Sequence, residues 1–288
     1  MTLATRLRSK LRVYWPLIKS LQTGLLLLTG LTGFMSARCP FANWQKLLCL
    51  VGSLFLAISG STILNMWYDR DIDAKMQRTA GRPIPSGQVG PGAALRLGLL
   101  LSVLGVAWAV CLDPLYGLLV FAGLFFDVVV YTIWLKRRTP WAIVWGGLSG
   151  GMPVLAGRAL ATGQIEWVGI TLALAVLFWI PTHIMTVSLR YFADYRRAAV
   201  PTFPAVYGFQ VTHATIAVSS LVAAMLMAVA AYGIGLTWGY LRLMVVLSGG
   251  LLLLAINSMV RPSERINFGL FKYASLYMLS AMLLFAFV

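Results

Sequence analysis

Three of the chain's few carboxylates fall within five consecutive positions, at Asp69, Asp71 and Asp73. The whole chain has only eight Asp and Glu residues, so this concentration stands out from the composition. If a helix continues through the stretch, Asn65, Asp69 and Asp73 are four residues apart and line one face, while Asp71 points elsewhere. Carboxylates held this close repel one another unless a cation neutralises them, and Mg²⁺ prefers such oxygen ligands. We therefore predict that Asn65, Asp69 and Asp73 are metal ligands.

Basic residues follow this acidic cluster directly, at Lys75, Arg78 and Arg82. Protein-bound Mg²⁺ usually completes its ligand shell with water and phosphate oxygens, and Lys and Arg side chains bind the same oxygens. Prolines and glycines between positions 81 and 87 end the helix and fold the loop back. This order of residues predicts a polyphosphate site. The competing interpretation is a solvated loop of mixed charge, which is common at helix ends.

The composition places this site at the surface of a membrane rather than on a soluble domain. Hydrophobic residues make up 60% of the chain and charged residues 11%, far below the roughly 25% of soluble proteins. The net charge of +15 comes from short basic runs between apolar segments, without a basic stripe interleaved with aromatic residues. We therefore expect lipid, and not nucleic acid, as the partner. The three cysteines have no metal-binding spacing and are interpreted as small apolar residues.

Apolar stretches predict an all-α integral membrane bundle of about nine transmembrane helices. They cover residues 21–37, 46–66, 92–112, 114–135, 141–160, 166–189, 211–232, 239–260 and 268–288. With the N-terminus in the cytoplasm, nineteen Lys and Arg residues lie on or near the cytoplasmic side and four on the other. Residues 1–20 are then a basic cytoplasmic segment and residues 21–288 a single transmembrane domain. The two longest loops, 67–91 and 190–210, are four spans apart, which suggests two four-helix halves plus one helix.

Residues 65–73 have the form NxxxDxxxD, which resembles the motif of the UbiA superfamily of membrane prenyltransferases. Residues 76–83, 131–140 and 194–201 resemble the protoheme IX farnesyltransferase branch of that superfamily. The likeness covers about residues 20–288, with its motifs in the family's order. Where many members carry a second DxxxD motif, this chain has Asp194 alone. The family's His-Phe-Trp is replaced by His183, Ile184 and Met185.

The resemblance implies a UbiA-type fold and the transfer of a farnesyl group. The donor would be farnesyl diphosphate, the acceptor the vinyl group of protoheme IX, and the products heme O and diphosphate. Heme is then a substrate, Mg²⁺ the cofactor, and the location an inner cell membrane beside heme A synthesis or terminal oxidase assembly. The expected catalytic residues are Asn65, Asp69, Asp73, Lys136 and Asp194. The expected substrate-binding residues are Arg78, Arg82, Tyr131, Arg137 and His183.

Two membrane-embedded residues have more than one interpretation. His183 follows Pro181 in the sixth span, and could contact heme iron, carry a proton or hydrogen-bond the backbone that the proline leaves open. Asp127, in the fourth span, either lines a cavity or bonds a neighbouring helix. The glycines of the fifth span indicate close helix packing, and the alternative is room for a macrocycle or an isoprenyl tail.

Two other functions compete with the transfer of a farnesyl group to protoheme IX. The first keeps the fold and chemistry but changes the acceptor to a quinone ring, a chlorin or a lipid headgroup. The second is a transporter or heme-handling channel with a charged gate. A transport path would need polar residues through both halves of the bilayer, and no second polar layer occurs on the outer side.

Overall fold

The computed structural model describes residues 12–37 and 44–287, and all regular secondary structure in this part of the chain is helical. Arg6, Arg8, Lys10, Arg38, Cys39 and the last residue therefore lie outside the described residues. Nine long helices are present in the described part. They are α1 (Ser20–Met35), α2 (Trp44–Tyr68), α3 (Pro91–Leu112), α4 (Pro114–Leu135), α5 (Ala142–Thr162), α6 (Trp167–Arg190), α7 (Phe203–Ile234), α8 (Trp238–Val260) and α9 (Glu264–Ala286). There are also three short helices. Trp15–Ile18 precedes α1, Arg70–Lys75 follows α2, and Phe192–Arg197 follows α6.

Each predicted span corresponds to one of these helices, so the prediction of an all-α membrane bundle is confirmed. Among the described residues, seven helices are long and apolar enough to cross a membrane. The number is eight if Arg12–Ile18 and α1, bent by 49° at their junction, count as one span. The remaining helix is α5, whose 21 residues would be about 31 Å long. It packs against α1, α4 and α6 and is mostly buried, so protein rather than lipid surrounds it.

The glycines of α1 and α5 allow the backbones of these two helices to touch. A Cβ atom on Gly33 would lie 2.0 Å from the carbonyl oxygen of Val154, and one on Gly157 would lie 1.9 Å from that of Gly30. Small residues permit this close approach, which replaces the hydrophobic effect as a source of helix association in lipid. This geometry supports the packing interpretation of the glycine-rich fifth span.

The second half of α4, from Phe125 to Leu135, is a π-helix. Segments of this kind are rare and usually lie at functional sites. Within it, the Thr132 hydroxyl donates to the Asp127 carbonyl oxygen at 2.7 Å and accepts from the Asn65 amide at 2.8 Å. Ser61 donates a hydrogen bond to the Asp127 carboxylate, so this membrane-embedded acid bonds a neighbouring helix. The π-helix thereby fixes α4 against the helix that carries Asn65.

The two longest connections meet at one end of the bundle. Ile72 and Met76 from the first loop form a buried apolar cluster with Ala198 and Val200 from the second. α7 begins at Phe203, earlier than the predicted start of its span at 211, and is kinked at Gly208, where φ is +82°. α2 packs closely against α3, and α6 packs closely against α7. The second pair follows the first by four helices, which is the spacing expected for two four-helix halves.

Candidate functional site

Asn65, Asp69 and Asp73 form one buried face, as their spacing predicted. Although α2 ends at Tyr68, the Asp69 amide donates to the Asn65 carbonyl at 3.0 Å, and the Asp73 amide donates to that of Asp69 at 2.8 Å. This helical bonding keeps the three side chains in register across the junction. They are 7%, 1% and 5% exposed, whereas 53% of the Asp71 side chain is exposed. Three oxygen-bearing side chains thus converge inside the bundle end.

Lys136 and Arg137, which follow α4, neutralise Asp69 and Asp71. Lys136 forms an ion pair with Asp69, and Arg137 lies 3.7 Å from the other Asp69 carboxylate oxygen. Burial alone would lower the pKa of Lys136, but the neighbouring Tyr131 and Asp69 hold that pKa above its usual value. Arg137 donates hydrogen bonds of 2.8 and 2.7 Å to Asp71, and these lower the pKa of that carboxyl. Both cations therefore remain charged at neutral pH.

Asp73 and Asn65 have basic partners as well. The Arg82 guanidinium lies 2.6 Å from an Asp73 carboxylate oxygen. The Lys19 ammonium donates to the Asn65 amide oxygen at 3.1 Å. Lys19 has a left-handed backbone (φ 46°) at the bend before α1, and this bend brings it to the site. No sequence pattern predicts this contact, because no spacing rule connects residues 46 positions apart.

Tyr131 lies beside Lys136, with its ring centroid 5.5 Å from the Lys136 ammonium. This distance is within the range of a cation–π contact. The ring occupies space left by Gly146, because a Cβ atom there would be 3.3 Å from a ring carbon. Tyr195, from the second loop, also interacts electrostatically with Lys136 and packs against the Ile72 cluster. The second loop thus reaches the same cluster of charges.

Asp194 connects the two loops. Its buried carboxylate accepts a hydrogen bond from the Arg78 backbone amide at 3.3 Å and forms an ion pair with Arg197. Burial would raise the pKa of Asp194, but these hydrogen bonds hold it below its usual value. The Arg78 side chain lies over the Tyr191 ring, 5.3 Å from its centroid, and forms no ion pair with any described carboxylate. Among the predicted substrate-binding cations Arg78, Arg82 and Arg137, only Arg78 has no ion pair with a carboxylate of the acidic face in the described residues.

His183 lies half-buried on α6 between two aromatic rings. Its ring centroid is 4.9 Å from that of Trp179 and 4.7 Å from that of Phe271. Its Nδ1 lies 3.2 Å from the Ser275 hydroxyl on α9. The side chain therefore bonds another helix, and none of the described contacts joins it to the backbone left open by Pro181. The structure places His183 between α6 and α9 rather than among the carboxylates.

The acidic face fits a hard divalent cation. Asn65, Asp69 and Asp73 offer only oxygen atoms, and one Asp69 carboxylate oxygen is buried without a hydrogen-bond donor. Within residues 12–37 and 44–287, no group of three or more His, Cys, Asp or Glu side chains could hold a metal alone. A cation here would need further oxygens from water or from a phosphate-bearing ligand, as Mg²⁺ sites commonly do.

Solved structures with a similar fold cover nearly the whole chain. A structure of digeranylgeranylglyceryl phosphate synthase superposes with a TM-score of 0.79 and 18% identity, over 97% of this chain and 98% of that one. A UbiA homologue from Archaeoglobus fulgidus, bound to GPP and Mg²⁺, gives a TM-score of 0.70 and 16% identity, over 96% and 99% of the chains. At these identities the likeness concerns the fold.

Sequence relatives are closer. A protoheme IX farnesyltransferase of Archaeoglobus fulgidus is 41% identical over 236 residues, which cover 82% of each chain. One of Desulforudis audaxviator is 37% identical over 281 residues, 94% of this chain and 86% of that protein. A family model described as the UbiA prenyltransferase family matches residues 26–280. The chain therefore belongs to the UbiA prenyltransferase family.

Proposed function

We propose that this protein transfers the farnesyl group of farnesyl diphosphate to the vinyl group of protoheme IX, giving heme O and diphosphate. The observation that carries this proposal is the match, over most of the chain, to proteins named protoheme IX farnesyltransferase. The buried face of acids ringed by cations supplies the chemistry that a diphosphate substrate requires. Residues 21–288 would act as one catalytic domain.

In this proposal, Asn65, Asp69 and Asp73 are the residues that would hold Mg²⁺ at the diphosphate site. The bound ion would polarise the phosphate oxygens and neutralise charge that develops on the leaving group. A UbiA homologue has been solved with GPP and Mg²⁺, which supports a metal and diphosphate pairing in this fold. Asp69 forms an ion pair with Lys136, and Asp73 forms one with Arg82, so both carboxylates have cationic partners before the substrate arrives.

Lys136, Arg82 and Arg137 would then turn from the carboxylates to the diphosphate oxygens. The carbon–oxygen bond breaks, its electron pair leaves with the diphosphate, and an allylic cation remains. Fixed positive charges near the leaving group stabilise this transition state without reorganisation of solvent. The Tyr131 ring beside Lys136 presents a π face that would shield the cation from water. The acceptor vinyl group attacks the allylic cation to form the new carbon–carbon bond, and the positive charge passes to the vinyl carbon attached to the macrocycle. Addition of water to that carbon and loss of a proton then give a neutral hydroxyalkyl product.

Asp194 and His183 have supporting roles in this scheme. Asp194 would position the first loop through the Arg78 backbone, rather than bind the metal itself. His183, held by Ser275 between two rings, would face the acceptor. We further propose that the N-terminus and both long loops are cytoplasmic, as the distribution of Lys and Arg indicates. An inner cell membrane, close to heme A synthesis or terminal oxidase assembly, would be the setting.

The test is an assay of purified protein with farnesyl diphosphate, Mg²⁺ and one acceptor at a time. The acceptors are protoheme, a quinone precursor, a chlorin and a glycerol phosphate lipid precursor. We expect diphosphate release and a farnesylated product only with protoheme, and loss of both in excess chelator. Product with another acceptor and none with protoheme would replace the proposed acceptor. Undiminished turnover in metal-free buffer would overturn the role of Mg²⁺.

A further inference from the structure

A cavity of about 220 Å³ lies between the end of α6, the start of α9 and the loop that carries Arg78. Its lining includes Arg78, Arg190, Tyr191, Phe268 and Phe271. Whole drug-sized ligands occupy roughly 300–1,000 Å³. The cavity is therefore large enough for one edge of a substrate, while the remainder must extend beyond it.

Two guanidinium groups that line this cavity lie close to the same aromatic ring. Arg78 lies 5.3 Å and Arg190 5.6 Å from the Tyr191 ring centroid. Arg190 also lies 3.9 Å from the ring centroid of Phe268. Neither guanidinium forms an ion pair with a carboxylate in the part of the chain that the structure describes. By contrast, Arg82, Arg137 and Arg197 each have an acidic partner.

This difference separates two kinds of basic site at the same end of the bundle. The cations around Asp69 are already neutralised, and they would exchange a carboxylate for a diphosphate oxygen. Arg78 and Arg190 lie beside aromatic rings and have no carboxylate partner among the described residues. The cavity can therefore bind an anionic group of a ligand. Planar guanidinium groups match carboxylates through paired hydrogen bonds.

An unbroken row of rings leads from these cations into the bundle. Phe268 and Phe271 are parallel within 10° at 6.0 Å, Phe271 lies 4.7 Å from His183, and His183 stacks on Trp179 at 4.9 Å. A flat conjugated ligand packs well along such a row. The two guanidinium groups and the adjoining row of flat rings match a tetrapyrrole that carries carboxylates on one edge.

We propose that Arg78 and Arg190 bind the propionate carboxylates of the tetrapyrrole acceptor, whose ring then lies along Phe268 and Phe271. This inference rests on the proposed function and specifies the acceptor side of the same site. Arg78, which the sequence predicted to bind the diphosphate, would instead bind the acceptor. Arg190, which was not among the predicted site residues, would bind it too. The ion pair and backbone bond of Asp194 fix the loop that presents Arg78.

The test compares protoheme with its dimethyl ester, in which both carboxylates are masked. Binding to purified protein is followed by the heme absorption spectrum, and turnover by product formation. For the wild type we expect a Kd about ten- to a hundredfold lower for the free acid than for the ester. Arg78→Gln and Arg190→Gln should each reduce this preference, while KM for farnesyl diphosphate stays near its wild-type value. Arg190→Lys should restore part of the preference, because it retains the charge.

Arg265→Gln, at an exposed position near the start of α9, is the matched control and should keep the full preference. Equal binding of acid and ester by the wild type would overturn the proposal. So would glutamine variants that raise KM for farnesyl diphosphate and leave heme binding unchanged, since the two guanidinium groups would then serve the diphosphate. The spectral titration needs no turnover, so it decides this proposal even if the wild type forms no heme O. Absence of heme O from the wild type would count against the proposed function instead.

Discussion

At the level of single residues, the candidate site consists of carboxylates that already have cationic partners. Asp69 pairs with Lys136 and Asp73 with Arg82, so each of these carboxylates has a cationic partner before any substrate binds. Buried charges are costly unless paired, which explains why these acids and bases occur together. In the proposed mechanism, each cation would become available to a diphosphate once a metal ion took its place at the carboxylate.

Replacement of Lys136 by alanine tests this exchange. If its ammonium stabilises the leaving group, Lys136→Ala should remove about 2–4 kcal/mol of transition-state stabilisation, which corresponds to a loss of kcat of about thirty- to nine-hundredfold. Diphosphate release by purified protein is the measurement. Arg138→Ala is the control, because Arg138 is exposed two positions away. Wild-type turnover in Lys136→Ala would mean that the lysine has no part in the chemistry.

Substitutions of Asp194 test whether this residue binds the metal or positions the first loop. Asp194→Asn keeps an acceptor for the Arg78 amide but weakens the ion pair with Arg197, whereas Asp194→Ala removes both contacts. We expect turnover to fall more in the alanine variant, with little change in the Mg²⁺ concentration for half-maximal rate. A large rise in that Mg²⁺ requirement in Asp194→Asn would identify Asp194 as a metal ligand.

Local spacing predicted some of these residues, and tertiary geometry determines the others. Asn65, Asp69 and Asp73 share a face because helical bonding continues past Tyr68. The contact of Lys19 with Asn65 depends on a 49° bend and a left-handed backbone, and neither has a signature in a window of sequence. Arg78 has the residue type of a diphosphate ligand, but the anchoring of its backbone by Asp194 turns its side chain towards Tyr191.

At the level of helices, α5 and the π-helical part of α4 hold the site in place. Hydropathy predicted both as ordinary spans. It could not predict that α5 is enclosed by other helices, because burial depends on which neighbours surround a helix. The sequence of α4 also gives no sign that its second half is a π-helix, in which Thr132 accepts a hydrogen bond from Asn65. Glycine content alone correctly indicated the close packing of α5.

The contact between α1 and α5 gives a prediction about stability. Gly33→Ala would place a methyl group 2.0 Å from the Val154 carbonyl oxygen, so the helices must separate. We expect a lower Tm and a loss of roughly 1–3 kcal/mol in the free energy of unfolding. Gly24→Ala, on the same helix with nothing within 4 Å, should keep the wild-type Tm. Equal melting temperatures for the two variants would refute the close contact.

At the scale of the whole molecule, the acidic face and the paired loops lie at one end of the bundle, and the other end has a different buried pair. There Arg158 forms an ion pair with Glu166 and donates to the Ser36 hydroxyl at 2.8 Å, which ties α1 and α5 to the residue before α6. In the proposed orientation, which rests on the distribution of basic residues, this end would face the cytoplasm, where a water-soluble diphosphate would be released.

Cysteine labelling tests this orientation. Lys75→Cys and Gln164→Cys place exposed thiols at opposite ends, in a background with the three native cysteines changed to alanine. In intact cells, a membrane-impermeant maleimide should label Gln164→Cys, and Lys75→Cys should react only after permeabilisation. The reverse pattern would place the acidic face outside the cell.

The most direct test of the central claim is mass spectrometry of the hemes extracted from cells that otherwise make no heme O. Expression of the wild-type protein should yield a heme with a farnesyl-derived mass increase. Asp69→Asn, produced at the same level in the membrane, should leave only protoheme, because the metal and diphosphate site loses a carboxylate. Protoheme alone in cells with the wild type, or heme O that persists in the Asp69→Asn cells, would contradict this account.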